Sequence, residues 1–315
     1  MPAVPLLQVG AESALGYVPQ PVLGTPVVVP ATAGNWAQQL ANNVEFTNSR
    51  HLIKVGGGVR GSMRKAARGQ SHGLGGFEVL LQVDECTNLI AYFLGKDTLT
   101  TATHVMTVAE PRLLTLEDQK GGMSYQYSDV KLDQMDLTSS ANDWKIKYTL
   151  LSGPGGLALA TQTVPTFGPS EEPLQFGDIS AITLPGGLTP DTCDAFSLSL
   201  KNMLGQWFGG GKYTPTRIKS KDFEVTGKLS LLFDTAAAAT AYSSFVAGTE
   251  SALSIVIGHD ATHQHTIALA NCNFTKYPHR YALNDFVKLD VDFTVRDPMN
   301  ALTWTVANSN TLTAY

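Results

Sequence analysis

Three histidines lie close enough along the chain to share one metal ion. They occur in His259-Asp260-Ala261-Thr262-His263-Gln264-His265, and imidazoles beside a carboxylate form a donor set that zinc accepts. The flanking residues place the segment at a turn between strands, with His263 and His265 on one strand face, so the reading is a solvated hairpin tip. Gly56-x-Gly58-x-x-Gly61 follows a short strand and matches the dinucleotide spacing, with Glu78 roughly 20 residues on. A helix opened there would have to end before Gly69, and no parallel strand–helix–strand rhythm follows. Gly209-Gly210-Gly211-Lys212 fails as a phosphate loop, because Gln206 replaces the first glycine and Tyr213 the magnesium-holding hydroxyl. Asp133, Asp136, Asp290 and Asp292 could be paired as acid and base, but alternating aspartates on strands make a hydrated face. No Gly-x-Ser-x-Gly elbow is present, and nothing joins a Ser, a His and an Asp into a triad. The expectation is a protein without catalytic, cofactor or metal residues.

The composition points the same way. The chain has 315 residues, enough for two domains, and is 43% hydrophobic but only 16% charged, against roughly 25% charged in an ordinary soluble domain. Low charge density suits a surface that meets other protein. A net charge of −5 argues against a general nucleic-acid binder. Cys86, Cys193 and Cys272 are far apart and odd in number, which reads as reduced thiols. The first residues carry no basic segment before an apolar core, and no apolar run approaches a spanning length of about 20 residues. The expectation is a soluble cytosolic product with no membrane partner.

The elements that must position these residues repeat. Val79 to Asp84 is a strand ending in an aspartate. A compact apolar helix with Leu89, Tyr92 and Phe93 follows and closes at Gly95. Leu229 to Asp234 does the same, with a helix carrying Tyr242 and Phe245 that closes at Gly248. Asp84 and Asp234 are 150 residues apart, and so are Tyr92 and Tyr242; Asn142 and Asn284 are 142 apart. Residues 1–48 are proline-rich and read as an extended arm, 49–153 and 174–307 as two copies of one β-rich domain, 154–173 as a Gly/Pro linker and 308–315 as a tail. Residues 56–76 read as a long glycine-hinged loop carrying Arg60, Arg64, Lys65 and Arg68, suited to ion pairing with a neighbouring subunit. Each copy ends in a strand of period two. Trp144, Ile146, Tyr148 and Leu150 alternate with Lys145 and Lys147, and Val287 to Val295 alternates with Lys288, Asp290 and Asp292.

Read this far, the chain resembles the major tail tube proteins of long-tailed, siphovirus-like bacteriophages. The resemblance rests on Glu12-Ser13-Ala14-Leu15-Gly16 and Gly24-Thr25-Pro26, on Val59-Arg60-Gly61-Ser62-Met63, and on Phe223 to Asp234 running into a short helix. It implies a mainly β fold of two tandem β-sandwich domains, each with a flanking helix, whose sheets join into a ring-shaped barrel. It also implies a virion structural protein whose rings stack into the tail tube through which DNA is ejected. With a duplicated domain, three chains per ring are expected in place of six. The implied partners are other copies of the chain, the tape measure, tail tip and terminator proteins, and double-stranded DNA in transit without specific binding. The resemblance places Arg60, Arg64, Lys65 and Arg68 at contacts between rings, and Lys145, Lys147, Lys288, Asp290 and Asp292 toward the lumen. The other reading is a two-domain binding module of a fibre or spike for a receptor or glycan, to which the scattered Trp36, Trp207 and Trp304 lend no direction.

Overall fold

A computed structural model describes residues 14–32, 34–53, 65–120, 123–140, 143–167, 172–183, 193–232, 242–243, 245–276, 279–280 and 288–307. The first half contains β1 (Ala14–Pro19), β2 (Trp36–Asn42), β3 (Glu45–Ile53), β4 (Lys65–Leu80), α1 (Val83–Leu94), β5 (Gly95–Thr100), β6 (Thr103–Val108), β7 (Leu114–Lys120), β8 (Met123–Ser140) and β9 (Asp143–Ala160). Six of these strands close on themselves. β1 pairs with β2, β2 with β4, β4 with β9, β9 with β8, β8 with β7, and β7 with β1, all antiparallel. The result is a closed six-stranded barrel with further strands outside it. Closure leaves these strands with no open edge along their paired lengths.

The second half contains β10 (Ile179–Thr183), β11 (Cys193–Lys201), β12 (Leu204–Trp207), β13 (Arg217–Ser220), β14 (Glu224–Leu232), β15 (Ser251–Asp260), β16 (His263–Lys276), β17 (His279–Arg280), β18 (Lys288–Val295) and β19 (Leu302–Ala307). Its pairing order repeats that of the first. β11 pairs with β14, β14 with β18, β18 with β16, β16 with β15, and β15 with β10. With β10, β11, β14, β15, β16 and β18 read for β1, β2, β4, β7, β8 and β9, only the closing pair lacks a counterpart among the described residues. β11 instead lends its other edge to β8 of the first half. A second seam joins β19 to β6.

The 150-residue offset read from the sequence holds between β4 and β14, whereas their partners β9 and β18 are offset by 145. Phe77 stands opposite Tyr148, and Gly227 stands opposite Phe293. In the first half the two rings stack at 5.1 Å. In the second the Phe293 ring fills the space above Gly227, where an added Cβ would come within 2.2 Å of the ring.

α1 forms because Leu89, Ile90, Tyr92, Phe93 and Leu94 can all face apolar neighbours, and it stops at Gly95. There φ is +90° and the N–H reaches the Ala91 carbonyl, a left-handed cap that glycine adopts at little cost. Every residue of α1 is buried. It touches β2 and β8 of the barrel and β5, β6, β16 and β19 beyond it. Tyr92 meets Tyr17 edge-on, and Phe93 meets Tyr148 and Phe223. Burying each such ring contributes about 2 kcal/mol relative to exposure. The helix is thus enclosed between the two halves. The second helical stretch, with Tyr242, Phe245 and Val246, is more open: Tyr242 is 49% and Val246 65% exposed, while Phe245 leans on the core.

Three expectations change. Residues 14–48 are not an arm: they supply β1, β2 and the start of β3, and their prolines sit outside β1 and β2 except for Pro19 at the end of β1. Residues 65–76 are not loop but part of β4, paired with β3 as far as Lys65, so Lys65 and Arg68 lie on a long hairpin. Pro154 to Ala160 continues β9, and the connection between the halves begins only at Thr161. Arg60, Arg64, the helix onset at Asp234, the Asn142/Asn284 pair and the 308–315 tail lie outside the described residues.

Candidate functional site

The seam between β8 and β11 makes one sheet of strands from both halves, in the order β2, β4, β9, β8, β11, β14, β18, β16. Along each strand the core-facing residues alternate with half-exposed polar ones, as in β9 and β18, where every second residue is buried. Because the registers are in step, the polar residues line up in rows across the seam. One row runs Glu78, Lys147, Asp136, Ser199, Thr226, Thr294, Asn273. Its neighbour runs Lys145, Thr138, Ser197, Lys228, Asp292, Lys276. Most of these residues line a groove of about 530 Å3, together with Leu198, Gly227 and Phe293.

The charges on this face answer one another. Lys147 lies between Glu78 and Asp136 across the strands, Lys201 is opposite Glu224, and Lys228 is opposite Asp292. Lys145 reaches Glu78 at 3.8 Å, Lys276 reaches Asp292 at 3.3 Å, and Lys288 reaches Asp194 at 2.9 Å. Cross-strand pairs of opposite sign contribute about 0.2–1 kcal/mol each; their larger effect is to leave each of these six lysines facing a carboxylate. At the seam itself, Ser199 donates its hydroxyl to Asp136 Oδ1 at 2.5 Å, and Gln134 donates to both oxygens of the same carboxylate at 2.9 Å.

The structure therefore brings Lys145, Lys147, Lys288, Asp290 and Asp292 onto one face, although they come from strands in different halves. Sequence inspection had Asp136 with Asp290 and Asp292 as hydrated-face aspartates but missed Glu78, Lys201, Lys228, Glu224 and Lys276 as members of this face. The signal was present in the alternation of β4, β8, β11 and β14, but membership depends on a seam between strands about sixty residues apart.

The remaining candidates separate. Asp260 and His263 sit at the β15–β16 hairpin tip, where bonds from Thr262 and His263 hold the Asp260 carboxyl down at about 2. His259 is near Asp178 at 3.5 Å. His265 does not belong to that tip: it is fully buried, accepts from the Trp304 indole at 3.1 Å on Nδ1 and contacts the Gln82 carbonyl at 3.3 Å through Nε2. Desolvation pushes its pKa down to about 4, keeping it neutral. All three cysteines are free and buried, and burial pushes the Cys193 and Cys272 thiols up to about 12, the opposite of an activated nucleophile. Among the described residues no group of three or more His, Cys, Asp or Glu is placed to hold a metal ion, and no helix is long and apolar enough to cross a membrane.

The described residues thus form a closed β-barrel extended into a larger sheet with a face of paired charges. The model of the phage tail tube protein family matches residues 10–295. The chain belongs to the phage tail tube protein family. No curated protein matches it. Membership makes this tail tube protein a structural component of the virion tail, one that assembles with itself and with other tail proteins, and implies a role without catalysis.

Proposed function

We propose that three copies of this tail tube protein form a ring, and that rings stack into the hollow tube of a long-tailed phage through which DNA is ejected. Each half is one tandem domain and one sixth of the wall, so that a trimer has pseudo-sixfold symmetry. Stacking is head to tail and therefore propagates until length is set by other tail proteins, such as the tape measure and terminator. The chain is made in the host cytoplasm. The stretch carrying Arg60, Arg64, Lys65 and Arg68 contacts the adjacent ring.

The observation that carries this reading is the single polar face running through strands of both halves. Placed toward the bore, it offers DNA hydroxyls and lysines that already face carboxylates. Binding to phosphate gains most of its free energy by releasing counterions from unpaired cationic contacts. A face with its lysines answered offers little of that gain, and the duplex slides without being held. End-on microscopy of purified rings tests the stoichiometry: threefold images with six similar lobes are expected, and true sixfold rings of six chains would overturn it.

A further inference from the structure

The β8–β11 seam is a junction between corresponding parts of two similar units: the fifth ring strand of the first half meets the second ring strand of the second. The chain contains the other two members of such a junction, unjoined. The fifth strand of the second half is β16, and its Asn273–Lys276 stretch pairs on one side with β18. Among the described residues no strand is paired to the other side of 273–276. The second ring strand of the first half is β2 with the start of β3. There the Val44 N–H donates to the Asn42 side chain and its carbonyl accepts from Tyr127. Side chains thus occupy the backbone groups of Val44, whereas its counterpart Leu200 has a strand neighbour in Met135.

We infer that residues 273–276 of one copy pair antiparallel with residues 43–45 of a second copy, in the register of the internal seam. This rests on the ring-forming reading above and names its interface. The register transfers through the shared rows. Tyr148 and Phe293 are equivalent, so Met135 corresponds to Phe274 and Gln134 to Asn273. Phe77 and Gly227 are equivalent, so Leu198 corresponds to Asn42, and Leu200 and Lys201 to Val44 and Glu45. The internal pairs Leu200–Met135 and Lys201–Gln134 then become Val44–Phe274 and Glu45–Asn273 between copies. Glu45 would continue the polar face as Lys201 does inside the chain.

Two exposed apolar groups fit the same occupant. α1 is covered partly by β16 and β19 of the other half, whereas its counterpart leaves Tyr242 and Val246 at 49% and 65% exposure. Leu40, on the β2 side of the junction, is 50% exposed. A second copy seated as the second half sits on the first would cover both. The contact is heterologous, with different surfaces on the two partners, and it closes into a ring when the rotation per copy is one third of a turn, as the three-copy reading requires.

The test is a double variant, Glu45→Cys with Asn273→Cys, treated with a short thiol-to-thiol reagent; the three native cysteines are buried. Opposite residues on paired strands bring their Cβ atoms to about 5 Å, so loss of most of the monomer band into covalent oligomers is expected. A Thr161→Cys, Asn273→Cys control should stay monomeric on the gel. Should the variant fold poorly, hydrogen exchange on the unaltered protein reads the same contact: those amides of 43–45 and 273–276 that point away from β4 and β18 should exchange at least roughly tenfold more slowly in assemblies than in the isolated chain. Rings or tubes seen by microscopy without cross-linking or protection overturn this junction and leave the ring reading standing. Absence of any ring or tube overturns the ring reading, and the junction with it.

Discussion

Asn202, in the second half, donates its side-chain amide to the carbonyl of Phe93, the penultimate residue of α1 in the first half, at 3.1 Å. The same amide reaches the Leu132 carbonyl at 3.1 Å, and the Asn202 backbone N–H reaches Asp133. One buried residue therefore ties the helix, the barrel strand β8 and the strand that crosses the seam. Asn202→Ala strands two buried carbonyls and should cost about 2 kcal/mol. Chemical denaturation checks this, and an unchanged midpoint would mean that the amide does not hold the seam.

Gly227 and Phe293 make a second, purely steric relationship. A methyl group at Gly227 would fall 2.2 Å from the Phe293 ring, so Gly227→Ala should destabilise by about 1–3 kcal/mol through overpacking. Adding Phe293→Leu should recover part of that loss, because residues in contact couple. Additive losses in thermal unfolding would show that the ring is free to move aside.

His265 sets a pH dependence. An unfolded histidine protonates near 6.5, while burial holds this one at about 4. Between those values the unfolded chain binds a proton that the folded chain refuses, so stability is flat above pH 6.5 and falls as pH drops toward 4. The full effect is about 3 kcal/mol. Asp260, held at about 2, acts only below that window. Melting temperatures of the protein and of His265→Gln should converge in slope only above pH 6.5; equal slopes between pH 4 and 6.5 would remove His265 as the cause.

The paired face predicts a gain of binding. Asp136→Asn with Asp292→Asn removes carboxylates facing Lys147, Lys228 and Lys276 without changing side-chain shape. Lys147 keeps Glu78 beside it, so tubes of this variant should retain duplex DNA at low salt and release it as salt rises, with a log–log slope of about −2 per chain from Lys228 and Lys276. Reversing Asp290 and Asp292 to Lys should leave assembly intact and slow ejection. Unchanged DNA retention and ejection would show that this face does not meet DNA.

Much of the fold was readable because alternation and burial coincide, as in Lys288–Val295 and in Trp144 to Leu150. β1 was not, because Ala14 to Tyr17 are all buried and show no period of two. The glycines of β4 imitated a loop for a packing reason: a Cβ at Gly76 would come within 2.2 Å of the Tyr148 carbonyl, and one at Gly73 within 2.7 Å of Ser152. Close approach of strands, not chain flexibility, selects glycine there. The histidine cluster misled because strand spacing put His263 and His265 on one face, while the partner that buries His265 is Trp304, 39 residues away. Half the polar face was legible as alternating Lys and Asp; its continuity was not, since that depends on β11 leaving its own half to pair with β8.

The central claim is that both halves build one wall segment whose paired polar face lines a bore. A three-dimensional reconstruction of the assembled filament by electron cryomicroscopy tests it most directly. The account predicts a hollow tube with Lys147, Asp136, Lys228 and Asp292 pointing into the channel in every ring. A filament with those residues on its outer surface, or a chain that stays monomeric under all assembly conditions, would contradict it.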